Sequence, residues 1–96
     1  MSIENNLYEK SIKILTDLIG FKTVSGQDNS ELISYCEKIL NGIGATTFKV
    51  FDDDNKRVNL FGTLKAKETN GKKPIILSGH TDVVPVSKCL SSDPFV

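Results

Sequence analysis

The apolar residues Tyr8, Ile12, Leu15 and Ile19 recur at intervals of four, three and four, and Leu7, Ile14 and Leu18 widen the same stripe. That spacing follows the helical turn and predicts an amphipathic helix over Asn6 to Ile19, stopped by Gly20. A loop of Thr, Ser, Gly, Gln and Asp runs from Phe21 to Asn29. Asp28 and Glu31 then stand three apart like an N-cap and its capping-box partner, and open a second helix whose face is Leu32, Cys36, Ile39 and Ile43, with Ile33 and Leu40 alongside. Gly42 and Gly44 mark its exit. Beyond them the helical period is lost. Ala45 to Phe51 and Val58 to Leu64 are rich in Thr, Val and Phe and predict two strands joined as a hairpin across the polar turn Asp52 to Lys56. Lys65 to Lys73 has four Lys and no strong apolar residue, which predicts a solvated loop. The run Pro74, Ile75, Ile76, Leu77 is continuously apolar, the pattern of a third strand, Ile75 to Ser78, buried on both faces. The expected architecture is α/β: two helices followed by three strands.

Composition narrows the picture. At 96 residues the chain makes one domain at most, spanning 1–96, and a chain of that length buries roughly 65% of its unfolded surface if its elements complete one another. Twelve basic side chains balance twelve acidic ones, so no basic patch marks a nucleic-acid partner. No apolar run approaches the roughly 20 residues of a membrane span, and the N-terminus lacks the apolar segment of a signal peptide, which points to the cytoplasm. Cys36 and Cys89 belong to no Cys-x-x-Cys pair and read as free thiols; the place of Cys36 on the second helix's apolar face assigns it to packing.

The chemistry gathers at His80, the sole histidine, which comes directly after the third predicted strand. In open α/β sheets functional groups collect beyond the carboxyl ends of the strands. A His there, with Asp82 two residues on, suits a metal ligand whose other ring N–H is held by the carboxylate. The triplet alone reads more simply as a surface His beside a turn Asp, because a catalytic zinc site takes three protein ligands and an open position. After His80 the chain offers only Asp82, Cys89 and Asp93, a mixture without a spacing signature, and its last Glu is Glu68. The chain alone is therefore not expected to hydrolyse an amide. Asp52, Asp53, Asp54 and Asn55 lack the Gly and closing Glu of a calcium loop and predict a hairpin turn. Gly42-x-Gly44 follows a helix and precedes a strand, the reverse of a dinucleotide fingerprint.

The triplet has a longer context. Ser78-Gly79-His80-Thr81-Asp82-Val83-Val84-Pro85-Val86, followed by Ser91-Ser92-Asp93-Pro94-Phe95, resembles the first metal-ligand motif of the M20 family of co-catalytic metallopeptidases and deacylases. Upstream, Phe21-Lys22-Thr23-Val24-Ser25-Gly26 is similar to the loop after the family's first helix, and Asn59-Leu60-Phe61-Gly62-Thr63 to its second strand. Within the family the run looks most like the acetylornithine deacetylases; the desuccinylases share His-Thr-Asp-Val-Val-Pro but usually continue differently and lack the Asp before Pro-Phe. Val86 to Ser91 departs from the pattern, being a residue short and carrying Leu90 where the family usually has Trp.

The resemblance implies the N-terminal part of a zinc-peptidase-like catalytic domain, without the lid and dimerisation domain. His80 matches a zinc ligand and Asp82 the carboxylate that orients it. The family's bridging Asp, general-base Glu, further ligands and distal His have no counterpart in the sequence. For an intact enzyme the resemblance implies zinc or cobalt, an N-acetylated amino acid as small-molecule substrate and a place in arginine synthesis. For this chain it implies weak metal binding or none, and either self-association or a complementing C-terminal polypeptide. Three readings stay open: an inactive remnant, one piece of a split enzyme, and a small binding module that keeps the fold.

Overall fold

The computed structural model describes residues 3–68, 70–85 and 93–95. Helix α1 covers Ile3–Ile19, starting three residues ahead of the predicted Asn6. Ser11 and Thr16, weak helix formers, turn their hydroxyls back onto the carbonyls of Leu7 and Ile12, at 2.8 and 2.7 Å. The helix reaches the rest of the chain at its C-terminal end, where Leu18 and the following Phe21 pack on the core. There the Tyr35 hydroxyl donates to Asp17 Oδ2 at 2.6 Å, and the rings of Phe21 and Tyr35 meet at 5.6 Å. Most of the predicted stripe, from Leu7 and Tyr8 through Ile12 and Leu15 to Ile19, is exposed.

Helix α2 covers Ser30–Gly42. Its N-cap is Asn29 rather than Asp28, and the Asn29 side chain does not cap the helix. That amide is spent elsewhere: Nδ2 donates to the Val58 carbonyl at 3.0 Å and Oδ1 accepts from the Val58 N–H at 2.8 Å. Asp28 instead accepts from the Ser30 N–H at 2.7 Å, an Asx turn that leads into the helix. The exit has the Schellman pattern, with Gly44 N–H on the Asn41 carbonyl, Ala45 N–H on the Leu40 carbonyl, and Gly44 at φ 92°.

Strands β1, Thr46–Phe51, and β2, Val58–Thr63, form an antiparallel pair whose register runs from Thr46 opposite Thr63 to Phe51 opposite Val58. The predicted hairpin turn is built on Asp52, whose Oδ1 accepts from the N–H groups of Lys56 and Arg57 while Oδ2 accepts from Arg57 Nε at 2.7 Å. Helix α2 covers one face of the hairpin. Glu37 accepts from the Thr47 hydroxyl and pairs with Lys49 at 3.2 Å, and Gly62 lets Leu40 lie where a Cβ would come within 2.9 Å of it. The opposite face presents Phe48, Val50 and Phe61 to solvent, the two rings edge-on at 6.2 Å.

The core is small: Leu32, Ile33 and Val58, 3 to 5% exposed, fringed by Leu18, Phe21, Cys36 and Leu60. Cys36 thus packs as its position predicts, and burial pushes its thiol pKa up. The α/β class and the hairpin agree with the sequence pattern; the third strand does not. Residues 74–78 form no strand, and Ile75, Ile76 and Leu77 are 87%, 75% and 92% exposed. A strand buried on both faces needs a partner at its edges and cover above and below. The described sheet contains β1 and β2 alone, paired with each other. The radius of gyration, 16.4 Å, accordingly exceeds the roughly 12.5 Å of a compact chain of this length.

Candidate functional site

His80 and Asp82 lie on a segment clamped by the loop that follows α1. Val24 and Val83 form a parallel bridge, in which the Val83 N–H donates to the Thr23 carbonyl and the Ser25 N–H to the Val83 carbonyl, both at 2.9 Å. The Thr23 hydroxyl adds a bond of 2.6 Å to the Thr81 carbonyl. Thr23 is the buried polar residue of the described chain, at 5% exposure. Residues 81 and 83 are therefore both gripped, and Asp82 stands between them.

Within this frame His80 Nδ1 lies 2.9 Å from Asp82 Oδ1 and 3.2 Å from the Asp82 carbonyl. Both oxygens are acceptors, so Nδ1 carries the hydrogen and Nε2 keeps its lone pair in the neutral ring. The pair is open to solvent, the His80 side chain 84% and that of Asp82 59% exposed. The pair borders one cleft, and His80 a second. One, of about 760 Å³, is lined by Thr23, Ser25, Asn29, Arg57, His80 and Asp82 among others. The other, about 690 Å³ and mostly apolar, runs between Leu15, Leu18 and Phe21 of the α1 end and Val83, Val84 and Phe95.

A ring nitrogen opposed to a carboxylate-bound one suits a metal ligand chemically. The rest of a coordination sphere is not assembled: among the described residues no three His, Cys, Asp or Glu side chains converge. Asp93, one of the residues weighed as a further ligand, instead accepts from the Phe95 N–H at 2.9 Å. Cys89, the other, lies outside the described residues. The described chain thus provides one candidate ligand and its partner, and no metal-assisted step can be written for it alone. The Asp52 to Asn55 turn is occupied by its own hairpin bonds, and the described residues of the Lys65 to Lys73 loop are all exposed.

Two contributors escaped the sequence pattern. Thr23 and Asn29 read as ordinary loop residues, and their partners, Thr81 and Val58, lie 58 and 29 positions away. A buried loop Thr leaves no periodic signal; here only its place in the motif after the first helix singled out the segment.

Comparison with known proteins supports a likeness to the M20 family. The relatives are both named succinyl-diaminopimelate desuccinylase. That of Rickettsia canadensis (strain McKiel) is 40% identical over 77 residues, covering 77% of this chain and 19% of that protein. That of Rickettsia akari (strain Hartford) is 38% identical over 78 residues, covering 78% of this chain and 19% of that protein. The chain therefore spans about a fifth of the length of these relatives. No family model matches it, and no solved structure does. No helix among the described residues is long and apolar enough to cross a membrane.

Proposed function

We propose that this chain is the N-terminal, ligand-bearing part of an M20-type metal-dependent amide hydrolase that removes an N-succinyl group from an amino acid, with His80 as a metal ligand and Asp82 as the carboxylate that orients it. The observation that carries the substrate class is the likeness to two desuccinylases, which shifts the reading away from the acetylornithine deacetylases favoured by the motif alone. The motif's Asp93-Pro94-Phe95 keeps the acetyl substrate, and with it arginine synthesis, as the second arm of the test. The metal, zinc or cobalt, would polarise the amide carbonyl and lower the pKa of the attacking water. His80 is prepared for it by Asp82, which holds the hydrogen on Nδ1 and leaves Nε2 to bind.

With one ligand in hand and about a fifth of the relatives' length, the remaining ligands and general base would come from further polypeptide, in the cytoplasm. The test mixes the chain with a separately produced polypeptide spanning the remaining length of the Rickettsia canadensis relative, in the presence of zinc. Succinate release from N-succinyl-diaminopimelate is expected, and its loss with His80→Ala. Faster cleavage of N-acetylornithine would transfer the assignment to the deacetylases. Hydrolysis by the chain alone would refute the need for further polypeptide, and activity indifferent to His80→Ala would refute the ligand role.

A further inference from the structure

We propose that Thr23 is a positioning residue for the His80–Asp82 pair: its hydroxyl and carbonyl grip the chain on either side of Asp82 and so aim the carboxylate at Nδ1. The functional meaning of the clamp rests on the reading of His80 as a ligand; the clamp itself rests on geometry. His80 and Asp82 are largely exposed and follow a segment, Ile75 to Ser78, that no strand pairing holds. A short exposed loop of this kind samples many conformers, and a hydrogen bond between two exposed side chains does not fix it. The order has to come from a buried neighbour.

Thr23 is that neighbour. Its side chain is buried, its Oγ1 hydrogen reaches the Thr81 carbonyl at 2.6 Å, and its own carbonyl accepts from the Val83 N–H at 2.9 Å. Ser25 N–H on the Val83 carbonyl completes a three-bond grip. Two of those bonds fix residue 83 and one fixes residue 81, which sets the backbone of Asp82 from both sides. The side chain of Asp82 then faces His80 rather than solvent. Thr suits the position because its methyl packs while its hydroxyl bonds. Ser keeps the bond and Val keeps the shape.

The test uses the whole chain, in which His80 is the sole histidine, so its ring nitrogens give an unambiguous long-range proton–nitrogen NMR signature at one fixed, mildly alkaline pH. The wild type is expected to show the Nδ1–H tautomer. Thr23→Val is expected to lose that preference and to speed exchange of the Val83 amide about tenfold, as loss of one hydrogen bond implies. Thr23→Ser is expected to restore both, with the methyl signals of Leu32, Ile33 and Val58 unchanged throughout. An unchanged tautomer in a folded Thr23→Val chain would overturn the proposal. Should that variant fail to fold, the wild type decides: absence of a scalar coupling across the Val83 N–H to Thr23 carbonyl bond would overturn the clamp, and its presence with a protected amide would support it. Zinc chloride added to the wild type separates the two readings. Because the chain alone is expected to bind zinc weakly, that arm uses the isotope-labelled chain mixed with the unlabelled polypeptide spanning the remainder of the Rickettsia canadensis relative: a clamp signature without a zinc-induced shift of Nε2 there would uphold Thr23 and refute the ligand role.

Discussion

Asp17 and Tyr35 tie α1 to α2 through one short bond, and each changes the other's acidity. Hydrogen bonding from Lys13, then from Tyr35, holds the Asp17 carboxyl below the usual range. The bond to Asp17 pushes the Tyr35 phenol up to about 12. A raised phenol means that the contact stabilises the fold fully below the ordinary tyrosine value of 10.0 and is lost as pH climbs through about 12. The depressed carboxylate works in the opposite direction: its contribution is present above its ordinary 3.8 and fades as pH falls through the lower folded value. Absorbance titration should therefore show Tyr35 ionising above the ordinary 10.0, and Asp17→Asn should bring it back toward that value. A Tyr35 titration indifferent to Asp17→Asn would remove the tie. At this scale the sequence was informative where chemistry is local. His80 and Asp82 stand two apart and do meet. The N-cap falls on Asn29 rather than the predicted Asp28, whose spacing says nothing of the tertiary bond Asn29 makes to the Val58 backbone.

Elements with a period of their own were legible. Both helices, the hairpin and its turn follow from spacing and turn chemistry, and the Gly44 exit is the end that the second apolar stripe demands. Since Gly44 sits at φ 92°, Gly44→Ala should destabilise the chain by about 1 kcal/mol in a urea titration, whereas Gly42→Ala, within the helix and facing open space, should not. Equal losses at the two positions would contradict the Schellman exit. The run Ile75-Ile76-Leu77 does not form the strand its pattern predicts because an apolar run states what a segment needs, and pairing partners decide whether it gets it. Its exposure yields a prediction. Ile75→Ser with Leu77→Ser should change folding stability by less than about 0.5 kcal/mol, as at other exposed sites, yet weaken self-association and binding of a complementing polypeptide. Sedimentation of the variant against the wild type measures it, and undiminished association would assign the stickiness to the Phe48, Val50 and Phe61 face instead.

Among the described residues, Leu32, Ile33, Ala45 and Val58 are the buried apolar residues, beside an exposed apolar helix stripe, hairpin face and extended run. The hydrophobic pattern promised more core than the described residues assemble, since each stripe needs an opposing surface that the two helices and one hairpin do not supply to one another. The same shortfall governs the site, where among the described residues no group of three candidate ligands forms around His80. The chain spans about a fifth of the length of the relatives it matches. Calorimetric titration with zinc, carried out on the chain alone and again with a polypeptide spanning the remainder of the Rickettsia canadensis relative, reads the two gaps together. Weak binding to the chain alone and tight binding to the mixture, lost with His80→Ala, is the predicted result. Stoichiometric sub-micromolar binding by the chain alone, or tight binding by the mixture that survives His80→Ala, would contradict it.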